Sequence, residues 1–174
     1  MNFDFSSCGG LMQRHLDWLT SSGVPMSAII RPEPIRCAHG YKALDGRFDH
    51  DPSGPVWLVF FEPEDIVFWQ PGTDELATWH GRAFALGERV IDAASTYAFG
   101  YPLRIFANPI HWLQRNRDGI VVVDWSCAFD RLRHTPCVAV PDDLLSLYQR
   151  NMRPARLPKL FVVPEPQRNG RRLA

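Results

Sequence analysis

The stretch from residue 101 to residue 164 constrains the fold most, because a strand-like run, a turn residue and a helical pattern follow one another along it three times. Short apolar runs that alternate with helical patterns are typical of βα units, which build a parallel sheet. A fourth apolar run closes the series. The predicted strands lie at residues 103–107, 120–123, 137–140 and 160–163, and the helices between them at residues 110–116, 125–133 and 144–152.

The N-terminal half has a different pattern, which predicts antiparallel strands between residues 26 and 86. The Asp45-Gly46 pair is a signal for a two-residue hairpin turn, and that turn would place Lys42 opposite Asp49. Residues 56–61 and 66–69 are apolar on both faces, so we expect them at the centre of the sheet. The other predicted elements are strands at residues 27–30 and 76–86 and helices at residues 8–22 and 87–99.

These elements predict a chain of the α/β class, with α+β as the alternative. Antiparallel N-terminal strands would be followed by short C-terminal βα units with a small parallel or mixed sheet. At 174 residues the chain has the length of one domain, and we assign residues 1–164 to a single globular domain. Residues 165–174 combine several arginines with Pro and Gly, so we expect a disordered basic tail there.

The composition excludes several classes of protein. Hydrophobic residues make up 45% of the chain, as in a globular protein. The apolar runs are far too short to cross a bilayer, and residues 1–5 show no signal-peptide core, so we predict a cytoplasmic protein without a membrane partner. No motif indicates a cofactor or a metal site, and the cysteines have no paired spacing, which predicts reduced and mostly buried thiols. The cysteines are Cys8, Cys37, Cys127 and Cys137.

Asp124 is the first candidate for a catalytic residue. It ends the most apolar predicted strand, and open α/β sheets bind ligands beyond the carboxyl ends of their strands. An aspartate in that place can hold a magnesium ion or act as a base. Asn108, Ser126 and Asp142 would share the same rim of the sheet. The alternative is that Asn108 and Asp124 cap the helices that begin after them, which their positions explain fully.

Two further groups contain residue types that bind metals or move protons. In the first, Asp130 and His134 are four residues apart on a predicted helix, so they share a face, and we interpret them as a surface pair. His111 lies on the preceding helix. The second group lies around the predicted hairpin, where ordinary loop composition explains it and no ligand-spacing motif supports a metal. Its members are His39, Asp49, His50 and Asp51.

Charge is unevenly distributed, although the chain is neutral overall. Residues 150–174 hold seven basic residues and one acid, whereas the remaining residues carry 12 basic and 18 acidic groups. Basic side chains that contact phosphates give sequence-independent, salt-dependent binding to nucleic acid. The alternative is a solvated tail that keeps a neutral protein in solution. The basic residues are Arg150, Arg153, Arg156, Lys159, Arg168, Arg171 and Arg172.

Six tryptophans are a large number for a chain of this length. Exposed aromatic rings can stack on the bases of nucleic acid. Most of the tryptophans lie within apolar periodic runs, so we assign them to the core. Trp79 and Trp125 are the two that the pattern constrains least.

Four segments of the chain resemble uncharacterised proteins encoded by prophages and integrated elements of GC-rich bacteria. The segments are residues 65–69 (DIVFW), 102–109 (PLRIFANP), 112–113 (WL) and 119–125 (GIVVVDW). Their shared motifs are structural. The resemblance implies a setting in a mobile element, and it implies no catalytic residue.

The sequence therefore favours a non-enzymatic accessory or interaction protein of a mobile element. It would contact nucleic acid, or a protein that processes nucleic acid, through its basic C-terminus. The alternative is a small magnesium-dependent hydrolase or nuclease that uses Asp124 with Asn108, Ser126 or Asp142.

Overall fold

A computed structural model describes residues 8–153 and has the α+β architecture, which confirms the predicted mixed class. Antiparallel strands from the N-terminal half form one large sheet. Shorter strands farther along the chain form two two-stranded sheets that an isolated β-bridge links, and the two together are called the small sheet. The strands are β1 (Gly9–Gly10), β2 (Arg36–Lys42), β3 (Phe48–His50), β4 (Val56–Phe61), β5 (Ile66–Gln70), β6 (Glu75–Thr78), β7 (Ala85–Leu86), β8 (Leu103–Arg104), β9 (Val121–Val122) and β10 (Val138–Ala139).

The large sheet has the strand order β1-β2-β4-β5-β6, and β3 pairs with β2 beside this path. As predicted, β4 and β5 lie at its centre and are buried on both faces. The predicted hairpin of β2 and β3 forms, but Lys42 faces Phe48 rather than Asp49, so the predicted register is wrong by one residue. The loop has three residues inside its closing pair, and the last of them, Gly46, has φ of 82°. A three-residue loop with a left-handed last residue is the next most common hairpin connection.

The helices that the structure describes are short. The predicted helix at residues 8–22 forms only in part, because residues 9–10 pair with β2 as a strand. The predicted strand at residues 27–30 is wrong. Those residues form a helix after Pro25, since a short apolar run does not distinguish strand from helix. The helices are α1 (Gln13–Ser21), α2 (Met26–Ile30), α3 (Pro109–Gln114), α4 (Ala128–Leu132) and α5 (Asp142–Asn151).

The predicted helix at residues 87–99 is also wrong. Two short 3₁₀ segments, Glu88–Val90 and Ala94–Gly100, occupy this part of the chain. The Thr96 hydroxyl donates to the carbonyl of Val90 at 2.7 Å, and the Tyr97 hydroxyl donates to a neighbouring carbonyl. Such bonds from side chains to the backbone compete with helix formation.

A buried carboxylate explains why the predicted strand at residues 76–86 is broken. Asp65 is 5% exposed, and its side chain accepts hydrogen bonds from four backbone amides. Three of these amides lie in the loop between β6 and β7, which therefore turns away from the large sheet toward the small one. The four donors are the amides of Ile66 (2.8 Å), His80 (2.7 Å), Arg82 (2.7 Å) and Ala83 (3.1 Å).

The small sheet is mixed, as predicted for the C-terminal half. β10 pairs with β8 in parallel. A parallel bridge then joins Ile105, which follows β8, to Ile120, which precedes β9. β9 then pairs with β7 in antiparallel orientation. The predicted strand at residues 160–163 lies outside the described residues.

Three apolar cores hold these layers together. One face of the large sheet packs against α1, α2 and α3, and Trp112 of α3 meets Phe60 of β4 at 5.7 Å between ring centroids. On the opposite face the Phe48 ring stacks on Phe68 at 3.8 Å. The third core lies between the small sheet and the helices α4 and α5. Burial of aromatic and aliphatic side chains in these cores supplies the main driving force for folding.

Candidate functional site

The carboxyl ends of the parallel strands β8 and β10 border an open cleft of about 500 Å³, which is the predicted place for a rim site. Helices α3 and α5 begin beside it. Of the four rim candidates Asn108 lines the cleft, together with Asp143, the neighbour of the predicted Asp142. Most of the other lining residues are apolar. The polar lining residues are Arg104, Asn108, His111 and Asp143.

Asn108 has the geometry of a helix cap. Its side-chain oxygen accepts a hydrogen bond from the amide of His111 at 3.1 Å, and Pro109 occupies the first position of α3. This is the preferred combination for a helix start. Asp142 and Asp143 lie in the first turn of α5, where the helix dipole favours a carboxylate.

Asp124 is bonded to the residues that follow it. Its carboxylate accepts from the amide of Ser126 at 2.9 Å, from the hydroxyl of Ser126 at 2.7 Å and from the thiol of Cys127 at 3.3 Å. Partial burial opposes ionisation, but these hydrogen bonds outweigh it and hold the pKa of Asp124 below its usual value. The geometry therefore favours the capping interpretation of Asp124.

The structure does not assemble the four rim candidates into one site. Asp124 borders a separate cleft of about 330 Å³, whose lining includes Lys42 and Asp45 of the β2–β3 hairpin. Asn108 lies on the cleft beside α3 and α5. A magnesium-dependent mechanism needs these side chains around one ion, so we do not carry the hydrolase alternative forward.

The histidine groups also have ordinary partners. The Nδ1 atom of His39 lies 2.9 Å from the carbonyl oxygen of Gly54. Asp130 forms an exposed ion pair with Arg133 at 3.7 Å, rather than the predicted pair with His134. Within residues 8–153 no group of three or more His, Cys, Asp or Glu side chains is placed to hold a metal ion.

All four cysteines are unpaired. Cys8 and Cys37 are buried, and burial raises the pKa of the Cys8 thiol to about 11. Cys127 and Cys137 are exposed, so the expectation of mostly buried thiols is correct for only two of the four. A thiol with a raised pKa is a weak nucleophile, so neither Cys8 nor Cys127, whose pKa burial also raises, has the character of a catalytic cysteine.

Two of the predicted nucleic-acid-binding residues lie within the described chain. Arg150 is in the last turn of α5 and Arg153 follows the helix, and both are exposed. Neither forms an ion pair with any residue in the described part of the chain. The other five predicted residues, Arg156, Lys159, Arg168, Arg171 and Arg172, lie outside the described residues.

Sequence reasoning missed a partly buried carboxylate at the junction of the two sheets. Glu62 follows β4, and its Oε1 atom accepts a hydrogen bond from the amide of Gly87 at 2.7 Å. Gly87 has φ of 78°, and a Cβ atom there would lie 2.6 Å from the carbonyl oxygen of Gly119, so only glycine fits. Burial raises the pKa of Glu62 to about 7, with a smaller contribution from the charge of Glu88.

A partly buried arginine lies near the same junction. The Arg117 side chain donates from Nε to the carbonyl oxygen of Ala28 at 2.7 Å, and its Cζ atom lies 5.5 Å from the ring centroids of both Phe60 and Trp112. Burial lowers the pKa of Arg117 to about 10, and the charge of Glu62 opposes that change. No sequence signal identified either group, because both lie in stretches with the composition of ordinary turns.

Glu88 is a second glutamate near the junction of the two sheets, and it contacts the backbone around β7. Its Oε1 atom accepts from the amides of Phe84 and Ala85, and its Oε2 atom lies 3.5 Å from Arg131. Two glutamates therefore hold the segment around β7 between the two sheets. We interpret them as structural, since their acceptors bind the backbone of the protein itself.

Comparison with known proteins adds no functional assignment. No helix within residues 8–153 has the length and apolar character needed to cross a membrane. No family model, curated protein or solved structure matches the chain.

Proposed function

We propose that the protein is a non-enzymatic accessory protein of a mobile element, which contacts nucleic acid through the basic residues of its C-terminal region. The contact would be electrostatic and largely independent of sequence, because arginines that neutralise phosphates release counterions whatever the bases are. The setting in a mobile element rests on the resemblance of residues 65–69, 102–109 and 119–125.

The observation that carries the proposal is the exposure of the cations at the end of α5. The helix uses Leu144, Tyr148 and Met152 to pack against the third core. Arg150 and Arg153 are exposed and free of ion pairs with other described residues, so their charges are available to a phosphate. In sequence they begin the run of seven basic residues between residues 150 and 174, which contains a single acid.

We expect the protein to bind short DNA and RNA oligonucleotides at low salt, with an affinity that falls steeply as salt rises. The measurement is fluorescence anisotropy over a salt series. In the double variant Arg150→Gln/Arg153→Gln, the slope of log affinity against log salt should decrease by about 0.7 to 0.9 for each phosphate that the protein no longer neutralises. Truncation after Pro164, which removes Arg168, Arg171 and Arg172, should decrease it further.

The matched control removes two exposed arginines elsewhere, Arg31→Gln and Arg82→Gln. The net charge of the control equals that of the double variant, so a general charge effect would weaken both equally. Absence of binding by the full-length protein at low salt would refute the proposal. Equal binding by the full-length protein, the double variant and the truncated protein would refute the assignment to the C-terminal region.

A further inference from the structure

The loop at residues 98–102, where the second 3₁₀ segment loses helical geometry before β8 begins, presents two aromatic rings to solvent. Phe99 is 99% exposed and Tyr101 is 61% exposed. Phe99 has φ of 58°, in the left-handed region, and Gly100 follows it with φ of 79°. A bulky side chain in that region is an outlier, and outliers of this kind cluster at sites of function. The loop therefore combines two unfavourable features, an exposed ring and a strained backbone, in one residue.

The loop is held in place on both sides of Phe99. The Thr96 hydroxyl donates to the carbonyl of Val90 at 2.7 Å, and the Tyr101 amide donates to the carbonyl of Ala98 at 3.3 Å. The Cys137 thiol of the neighbouring chain segment lies 3.5 Å from the carbonyl oxygen of Tyr101. A ring on a fixed backbone loses little conformational entropy when a partner binds, so this presentation favours recognition.

The surroundings of Tyr101 are mostly polar and contain a cation. Tyr101 lines an open notch of about 350 Å³ together with Ser95, Thr96, Arg104 and Asp118. Arg104 pairs with Asp118 at 3.3 Å, but both side chains are exposed, and an exposed pair of this kind is weak enough to exchange for a phosphate. Residues 93–117 contain no aspartate or glutamate.

We infer that Phe99 and Tyr101 form a stacking platform for the bases of a single-stranded nucleic acid, with Arg104 as a phosphate contact beside it. This inference rests on the proposed function and names the form of nucleic acid that the protein takes. Aromatic rings next to a cation are the recurrent means of binding single strands without sequence preference. A duplex does not offer base faces to such rings, because its bases are stacked on one another.

A protein partner fits the same surface less well. An aromatic anchor in a protein interface inserts into a desolvated pocket and is surrounded by contacts that exclude water. Here Pro102 is the one apolar residue that lines the notch beside Tyr101. The hydroxyls of Ser95 and Thr96 and the guanidinium of Arg104 can donate hydrogen bonds to a hydrated phosphate and sugar backbone, once Arg104 leaves Asp118.

The test compares single- and double-stranded oligonucleotides with the full-length protein and its variants Phe99→Ala and Tyr101→Ala. Loss of one stacked base should weaken single-strand binding about 5- to 140-fold. Phe99→Trp should retain binding, whereas Phe99→Leu, which keeps the apolar volume without the aromatic face, should be as weak as Phe99→Ala. The fluorescence of a single strand that contains 2-aminopurine should change on binding to the full-length protein, less on binding to Phe99→Ala or Tyr101→Ala, and not on binding to the double variant Phe99→Ala/Tyr101→Ala.

The matched control is Leu44→Ala, which removes a fully exposed apolar side chain from the β2–β3 hairpin. Its affinity for single strands should equal that of the unmodified protein. If the aromatic variants bind single strands normally while Arg150→Gln/Arg153→Gln binds weakly, the stacking platform is refuted and the proposed function stands. If Phe99→Ala and Tyr101→Ala lowered the affinity for single strands and for duplexes by the same factor, stacking would also be refuted. A protein that binds no oligonucleotide but self-associates through Phe99 would refute both.

Discussion

Replacement of Asp65 by alanine should lower the free energy of unfolding by about 3 to 5 kcal/mol, because four backbone amides lose their common acceptor. The carboxylate accepts four backbone amides and is almost fully buried. Without it, the amides of the loop between β6 and β7 have no partner, and each unsatisfied buried group costs about 1 to 3 kcal/mol. The measurement is urea unfolding followed by circular dichroism.

Asp49→Ala is the matched control for this prediction. Asp49 is an exposed aspartate on β3, and its replacement should change stability by no more than about 0.5 kcal/mol. Asp65→Asn keeps the volume of the side chain but only one acceptor oxygen. Its decrease in the free energy of unfolding should therefore lie between the decreases for Asp49→Ala and for Asp65→Ala. A loss below about 1 kcal/mol for Asp65→Ala would show that water or a relaxed loop satisfies these amides.

The second large effect should appear as a dependence on pH. The pKa of Glu62 is raised from 4.5 in the unfolded chain to about 7 in the folded protein. Between these values the folded state binds more protons than the unfolded state, so this group makes stability fall as pH rises from about 4.5 to about 7. Above the folded-state pKa the stability no longer changes with pH through this group, because the carboxylate is then charged in both the folded and the unfolded state.

Glu62→Gln should therefore be more stable than the unmodified protein at about pH 8, by about 1 to 3 kcal/mol, and similar to it at about pH 4. The charged groups that influence this carboxylate are Glu88, Arg89 and Arg117. Glu64→Gln, an exposed neighbour, is the control and should follow the pH profile of the unmodified protein. The measurement is the free energy of unfolding in urea across this pH range. A parallel profile for Glu62→Gln would contradict the assignment.

The sequence predicted the elements in which local signals and packing agree. The strands β4 and β5 are apolar on both faces and lie at the centre of the sheet, and the Asn108-Pro109 pair begins α3 as its cap signal indicates. The capping interpretation of Asp124 was also available from the sequence, since a short polar side chain before a helical pattern has a local function.

The sequence could not predict features that depend on distant contacts. Asp65 breaks the strand predicted at residues 76–86 through amides far along the chain, and the aspartate itself lies in an ordinary turn composition. The exposure of Phe99 has a different origin. The apolar period of residues 87–99 predicts a helix, whereas local hydrogen bonds from the Thr96 and Tyr97 hydroxyls to the backbone accompany two short 3₁₀ segments instead. The assignment of the tryptophans to the core is correct for Trp57, Trp69 and Trp112, whereas Trp18 is 40% exposed. Among the described residues the most exposed Phe, Tyr and Trp rings are those of Phe99 and Tyr101.

The path of the chain through the two sheets also determines the order in which the protein can fold during synthesis. Hairpins join β4 to β5 and β5 to β6, so these pairs form from neighbouring residues as soon as they leave the ribosome. The first core stays open at that stage, because Trp112 and Leu113 of α3 complete it. The small sheet is completed last, since β8 pairs with the late strand β10. A nascent chain that stops before α3 would therefore expose the apolar face of a finished sheet, and it would depend on chaperones until the C-terminal half arrives.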